Sequence, residues 1–357
     1  MRRRQFLAAG VAGLSAATAG CSGFFETATT RTPPLVENRP EAVYVPTHVE
    51  GMEMAGMASS GRYRFALTYS FPHRFWLVTG DRVRQVAIED EQTVHLMLTA
   101  WDSETGTVIP SSSASVTATK EGETVVSNKQ LWPMLSQNMG VHFGDNVALD
   151  GDGTYEVQVT FGPVETRRAG ALAGALADRA EPTFTLEFSQ SELDEVSYER
   201  LPDRQGERAA VDPMPMEMVP SGQLPAAEAL PGTLLATGRG VGETGDGMFA
   251  ITTLDSPPEG VDGEGTYLAV SARTPYNRYP LPFMSLAATL SKDGETVSDG
   301  DLTETLHPDL GYHYGAVVDS VPSQTTADIA VDAPPQIARH EGYETAFVDM
   351  DGISLTV

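Results

Sequence analysis

Lys120-Glu-Gly-Glu-Thr-Val125 leads to Gly140-Val-His-Phe-Gly144, and the same pair returns as Lys292-Asp-Gly-Glu-Thr-Val297 and Gly311-Tyr-His-Tyr-Gly315. The Lys-to-His separation agrees between the copies to within one residue (120 to 142, 292 to 313). Two hits in one order at one interval read as an internal duplication. Each copy lies among short runs favouring aromatic and β-branched residues, such as Arg62–Tyr69, Thr93–Trp101, Ser115–Thr119, Thr154–Phe161 and Thr183–Phe188 in the first. The second has Met248–Thr253, Thr266–Ser271, Ser285–Leu290, Ala327–Val331 and Gly352–Val357. Turn signals separate the runs, among them Asp102-Ser-Glu-Thr-Gly106, Lys120-Glu-Gly122 and Asp150-Gly-Asp-Gly153. The expected fold class is all-β, with two immunoglobulin-like antiparallel β-sandwich domains in tandem. The first spans 41–195 and the second 229–357, joined by a Pro/Met-rich linker at 196–228. Gly170–Ala177, rich in alanine and leucine, is read as the one short helix.

Composition narrows the function. Of 357 residues, 41% are hydrophobic and 20% charged, enough to build a packed core. Lys+Arg number 23 against 49 Asp+Glu, a net charge of −26, which repels phosphate backbones and argues against nucleic-acid binding. Lys120, Lys129 and Lys292 are the only lysines. An acidic, lysine-poor surface suits salty surroundings, where screening weakens carboxylate repulsion, so the acidity reads as halophilic adaptation. The single cysteine, Cys21, excludes an internal disulfide, a cysteine-based zinc site, an iron–sulfur cluster and a blue-copper centre.

That cysteine ends a leader. Met1-Arg-Arg-Arg-Gln-Phe-Leu7 sets a basic run before an apolar stretch from Phe6 to Ala19, the pattern of a twin-arginine export signal. Thr18-Ala19-Gly20-Cys21 resembles a lipobox, so residues 1–21 are expected to be a lipoprotein signal with Cys21 the lipidated residue. Residues 22–40 are Thr/Pro-rich and read as a tether. No later segment has eighteen uninterrupted apolar residues, so membrane association is expected through the lipid anchor alone.

With that cysteine placed in the leader, the transition-metal donors left are His, Met and carboxylate. The histidines are His48, His73, His95, His142, His307, His313 and His340, accompanied by thirteen methionines. Imidazole suits copper, iron and zinc, and thioether sulfur favours Cu(I). On a strand, residues i and i+2 share a face, so His95 can act with Met97, His48 with Glu50, and Met52 with Met54. Met134 and Met139 lie just ahead of His142. Simpler readings apply elsewhere. His73, in Phe71-Pro-His-Arg-Phe75, sits beside two aromatics and an arginine and reads as structural. Met214-Pro-Met-Glu-Met218 fits either a copper-catching tract or incidental linker composition. Asp150–Gly153 hints at calcium, but a hairpin turn is the preferred reading because the full loop signature is missing. No Gly-x-Ser-x-Gly elbow, His-Glu-x-x-His helix or phosphate loop occurs, and the protein is expected not to be an enzyme.

Gly51-Met-Glu-Met54, Val94-His-Leu-Met97, Trp132-Pro-Met134 and Val141-His-Phe-Gly-Asp-Asn146 follow one another in the order seen in the periplasmic iron-transport-associated (Fe2+ transport protein) family. The resemblance covers about residues 44–162 and, more faintly, the repeat at 266–345. It implies a β-sandwich that binds a copper and/or iron ion and serves a membrane iron permease. Carried over by position, His95 matches the family's strand histidine, Met134 its turn methionine and His142 its second histidine. Met97 stands where the family has a glutamate, replacing a hard anionic donor by a soft one and tilting the site from Fe(III) towards Cu(I). The interval from Met134 to His142 is one residue longer than in the family. The family's C-terminal histidine is matched only by His340, in the second domain, so intrachain domain pairing in the manner of the family's homodimer would complete the site. The resemblance therefore implies a metal set of His95, Met97, Met134, His142, His340, Glu50 and Met52. In the second domain, aligning Thr93 with Thr266 puts Leu268 opposite His95 and Val270 opposite Met97, leaving His313 and, distantly, Met284. One main site, in the first domain, is expected. The functional expectation is a lipid-anchored extracytoplasmic metal-binding protein associated with iron uptake. The alternative is a non-catalytic structural or adhesive pair of domains.

Overall fold

Where strands bend and which faces they bury fix the position of every candidate residue. The computed structural model describes residues 33–243 and 245–357. The leader, Cys21 and residues 22–32 of the tether lie outside the described residues. The first part of the chain forms β1 (His48–Glu50), β2 (Glu53–Ser60), β3 (Tyr63–Ser70), β4 (Phe75–Thr79), β5 (Arg82–Val86), β6 (Val94–Asp102) and β7 (Ala114–Lys120). It continues with β8 (Glu123–Ser136), β9 (Gly140–Val147), β10 (Gly153–Phe161), β11 (Arg167–Arg168), β12 (Thr183–Phe188), the helix α1 (Gln190–Glu195) and β13 (Tyr198–Arg200). The second part forms β14 (Thr233–Arg239), β15 (Met248–Leu254), β16 (Thr266–Arg273), β17 (Ser285–Lys292) and β18 (Glu295–His307). It ends with β19 (Gly311–Val318), β20 (Thr326–Ala333), β21 (Ala338–Arg339) and β22 (Ile353–Thr356).

The molecule is all-β, and the two halves share one strand order. The first sheet runs β12-β10-β7-β8-β9-β6-β3-β2, and the second, read from its other end, runs β22-β20-β17-β18-β19-β16-β15-β14. In each half one long strand bends between layers. β8 pairs with β7 along its first part and with β9 from Trp132 to Ser136. β18 does the same with β17 and β19. The terminal strands then approach each other, β2 near β12 and β14 near β22, so each half is a curled, nearly closed sheet. Inward positions such as Val94, Leu96, Leu98, Val141, Phe143 and Leu135 fill the main core. The repeated lysine also gains a reason: Lys120 Nζ donates to the carbonyls of Asp150 and Asp152, and Lys292 Nζ to that of Ser323 at 3.0 Å. Asp150–Gly153 is thus a turn between β9 and β10 whose carbonyls hold an ammonium group.

Each half also lends a strand to the other. β21, which follows β20, runs parallel to β8 with Ala338 opposite Met134, and antiparallel to β4 with Arg339 opposite Trp76. β11, which follows β10, runs parallel to β18 with Arg167 opposite Thr305. The exchange is reciprocal.

Three expectations change. Gly170–Ala177 is not a helix: only Gly170–Leu172 forms a 3-10 turn, and Gly170, Gly174 and Leu176 all have positive φ, which no right-handed helix accommodates. Residues 196–228 are not a free linker, since β13 pairs with β1, and Val211, Val219 and Leu224 are buried. Residues 33–40 of the tether lie on the folded body, with Pro33 O accepting from Arg74 and Arg39 paired to Glu344.

Candidate metal centre

β6 is buried along its whole length. Val94, Leu96, Leu98 and Ala100 point into the core, so His95, Met97, Thr99 and Trp101 face outward and are buried by something else. The cover over His95 is the exchanged strand and its neighbours. Strands β3-β6-β9-β8-β21-β4 lie side by side, and residues 71–74 join β4 back to β3, making a small enclosure on the outer face. Its apolar lining is Phe75, Met134 and Ala338, with Leu77 and Val86 packed against them.

Four histidines line this enclosure. His95 comes from β6, His142 from β9, His73 from the β3–β4 connection and His340 from the residue after β21. Ring centroids stand 4.0 Å apart for His73–His95, 4.8 Å for His73–His340, 5.1 Å for His142–His340 and 5.6 Å for His95–His340. Ligand nitrogens of His73, His95 and His340 all lie within 4.8 Å of one another. Met134 stands directly opposite His142 in the β8–β9 ladder. A Cβ built on Gly144 would lie 2.8 Å from His95 Nε2 and 3.3 Å from Met134 Sδ, so both atoms converge over that glycine. The missing side chain at Gly144 makes room for them.

The outer nitrogens set the tautomers. His95 Nδ1 bonds Asn146 Oδ1 at 2.8 Å, His142 Nδ1 bonds Gly140 O at 3.1 Å and His73 Nδ1 bonds Phe71 O at 3.1 Å. An oxygen acceptor fixes the proton on Nδ1 and leaves Nε2 as a lone pair, the arrangement metal-binding histidines use. Among the described residues, the buried Nε2 atoms of His73, His95, His142 and His340 have no hydrogen-bond partner. One unmet buried acceptor costs about 1–3 kcal/mol, so buried imidazole nitrogens gathered in this way favour a cation among them.

Electrostatics agree. Burial holds His95 well below the ordinary imidazole range, with the His73 ring adding to the effect. Burial brings His142 down to about 4, against a smaller opposing hydrogen bond to Gly140. His340 is likewise held well down by burial and by the three neighbouring imidazoles. Uncharged imidazoles are the ligand form. Burial alone would raise Glu50, yet hydrogen bonds from His48 and His73 hold it at about 2. Its carboxylate lies 3.0 Å from His48 Nε2 and 3.3 Å from His73 Nδ1.

The predicted residues therefore part company. His95, Met134, His142 and His340 converge. Glu50 sits behind His73 and addresses its outer nitrogen. Met97 is buried on the same face of β6, with Gly144 as its ladder partner. Met52 is half-buried between β1 and β2, and Met54 is 45% exposed. Met216 packs against Ala66, Trp101 and Val219. His73, read as structural, was the missed member; its flanking aromatics gave no sign that a loop would fold over β6. The second-half alignment also shifts by one residue. His95 pairs with Asn146 and Tyr267 with Val317, and these partners are equivalent when His142 is matched to His313. Tyr267, not Leu268, is the counterpart of His95.

Comparison with known proteins accords with this division. Residues 84–178 match the family model described as Fe2+ transport protein, and residues 228–356 match a domain of unknown function (DUF7350). The first match contains His95, Met134 and His142, while His340 lies in the second. The family resemblance read from the sequence therefore holds over residues 84–178. No curated protein matches the chain. Among solved structures, FetP of uropathogenic E. coli is 16% identical with a TM-score of 0.28, covering 40% of this chain and 96% of FetP. A copper-bound variant of Campylobacter jejuni P19 is 14% identical with a TM-score of 0.29, covering 40% of this chain and 97% of that one. Scores this low transfer no function.

Proposed function

We propose that this protein is an extracytoplasmic metal carrier, lipid-anchored through Cys21, that binds a copper and/or iron ion as cargo and hands it to an iron-uptake system. One observation carries the reading: His73, His95 and His340 bring ligand nitrogens within 4.8 Å of one another beside the Met134 thioether and the His142 ring, and among the described residues none of the four buried Nε2 atoms has a hydrogen-bond partner. Such a set is unfavourable without a cation and apt with one. The match of residues 84–178 to the Fe2+ transport protein family supports the assignment to iron uptake, and a membrane iron permease is the partner it implies. The leader sequence supports twin-arginine export and anchoring, and the acidic surface supports a saline habitat.

The donors sort the metals. His73, His95, His142, His340 and Met134 would hold the ion through nitrogen and sulfur, with Glu50 orienting His73 from outside. Imidazole and thioether together favour copper, Cu(I) above all, and imidazole alone also suits Fe(II). The carboxylate that would favour Fe(III) is replaced by Met97 at the expected position. Transfer of an ion requires no bond-making in the protein, so the site acts by binding and release. At the level of fold, we read each half as an immunoglobulin-like sandwich in which β8 or β18 is shared between layers.

The test is direct. Apo protein is titrated with Cu(I), Cu(II), Fe(II) and Fe(III) against competing chelators, beside a His95→Gln/His142→Gln variant. Tight binding of Cu(I) or Fe(II), lost in the variant, is the expected result. Equal binding by both proteins, or none by either, refutes the assignment.

A further inference from the structure

The second half holds a buried polar cluster at the position equivalent to the candidate metal centre, and its contents differ. Matching Gly140 to Gly311 pairs His142 with His313 and Gly144 with Gly315. Met134, opposite His142, becomes Thr305, opposite His313. Ala338, opposite Met134 on the exchanged strand, becomes Arg167, opposite Thr305. His340 then becomes Ala169, and His95 becomes Tyr267.

Chemistry follows the exchange. His313 keeps the tautomer of its twin, with Nδ1 bonded to Gly311 O at 3.0 Å, as His142 bonds Gly140 O. Its Nε2, however, accepts from the Tyr267 hydroxyl at 2.9 Å. A Cβ on Gly315 would stand 2.0 Å from that hydroxyl, just as one on Gly144 would crowd His95 Nε2. Both glycines are kept clear for the tip of the β6 or β16 side chain. Arg167 donates to Thr305 Oγ1 at 2.9 Å, to Gly315 O at 3.0 Å and to the Tyr267 hydroxyl at 3.1 Å. The guanidinium is a permanent cation. It stands at the point where the first half leaves lone pairs for an ion. Where the first site has four Nε2 atoms without a partner among the described residues, His313 Nε2 here has its partner.

We infer that the C-terminal half is a duplicated copy whose own metal position is closed by Tyr267 and Arg167, so that the chain takes up one ion and the second half serves to donate His340. This deepens the metal-carrier reading and rests on it for the identity of the first site. Arg167 replaces the cargo by a built-in charge, and Tyr267 satisfies His313, the one histidine kept at a position equivalent to the first site. The domain of unknown function thereby acquires a role: it is the fixed partner that completes its neighbour's site across the strand exchange.

The number of bound ions tests the closure. Purified apo chain, loaded with Cu(I) and counted by native mass spectrometry, should carry one ion. His313→Gln, which keeps a hydrogen-bonding group beside Tyr267, should also carry one. The triple variant Arg167→Ala/Tyr267→His/Thr305→Met rebuilds the His–Met–His set around His313 and should carry two. Two ions on the wild type falling to one in His313→Gln would overturn the inference. So would a triple variant with the wild-type circular dichroism that still carries one. Should the triple variant not fold, the wild-type and His313→Gln comparison decides alone. If the wild type carries none, the metal-carrier reading fails, while a gain of one ion by the triple variant would still sustain the closure.

Discussion

Gly144→Ala probes the centre with a single methyl group. Gly144 has no positive φ, so alanine costs nothing in backbone conformation and its effect is local. The added Cβ would meet His95 Nε2 at 2.8 Å, Leu96 O at 3.2 Å and Met134 Sδ at 3.3 Å, where ordinary contacts begin at 3.4 Å. The His95 ring tip must withdraw by about 0.6 Å, roughly three times the ±0.2 Å within which metal–ligand distances are held. His95 cannot swing freely, because Asn146 holds its Nδ1. Overpacking of this kind costs about 1–3 kcal/mol in the apo protein. Loss of a well-placed donor should lower copper affinity on the order of 100-fold, the upper end of what disturbed ligand orientation costs. Linkage turns this into a melting experiment. At free Cu(I) of about 1,000 times the wild-type Kd, the ion adds ~4.1 kcal/mol to wild-type stability, and ~1.4 kcal/mol to a variant bound 100-fold more weakly. Apo and copper-loaded denaturant midpoints for both proteins give the two increments. A copper increment in Gly144→Ala within about 0.5 kcal/mol of the wild type, the upper end of the error of adding independent effects, would show that the ion does not sit between His95 and Met134.

Removing the C-terminal donor, as His340→Ala, should weaken Cu(I) binding by about 10- to 100-fold while far-UV circular dichroism stays unchanged; undiminished affinity would take His340 out of the site. Glu50→Ala should weaken binding by a similar ~10- to 100-fold through loss of the hold on His73 Nδ1, read in the same chelator competition. His142 gives a pH prediction. Its folded value near 4 lies below the unfolded imidazole value, so the unfolded chain takes up the proton first and apo stability falls as pH drops from the unfolded value towards 4. The loss is on the order of 3 kcal/mol, measurable by urea titration across that range. His142→Leu should flatten that part of the profile, and in the apo protein at neutral pH it should be neutral or stabilising by about 1 kcal/mol, since it removes an orphaned acceptor. Cu(I) should be released over the same acid range, where protons compete for Nε2.

Period-two alternation made much of this legible. In β6 it puts His95 and Met97 on one face, and the repeated His-x-Gly motif marks His142 and His313. What could not be read was what lies over that face. His73 arrives by a connection whose path depends on β4 pairing with β21, from the far end of the chain. The same exchange brings His340, which the sequence places in the second half, beside His95 and His142 of the first. Aligning strand starts, Thr93 with Thr266, misassigned Leu268 because strand ends carry no register. The ladder partners Gly144 and Gly315 do carry it, and they select Tyr267. Gly170–Ala177 failed for a local reason: alanine and leucine favour a helix, yet glycines at 170 and 174 permit the left-handed backbone actually adopted.

The surroundings of His340 show how a candidate ligand from far along the chain would be held without cost at the moment of binding. Before it, Arg339 is fully buried, its guanidinium donating to the carbonyls of Pro335, Ala346 and Phe347 and so tying the loop to itself. After it, Glu341 accepts from the Thr47 backbone amide at 3.0 Å and from Arg74 at 3.1 Å. Glu344 takes a hydrogen bond from Tyr44 and pairs with Arg39. The imidazole therefore stands between anchors to both parts of the chain, and its ordering is part of folding, not of metal capture. Arg74 adds a link, because it adjoins His73 and clasps the segment that carries His340. An ion bound by these two histidines would bridge a contact the protein has already made, so imidazoles drawn from residues 73 to 340 would act together.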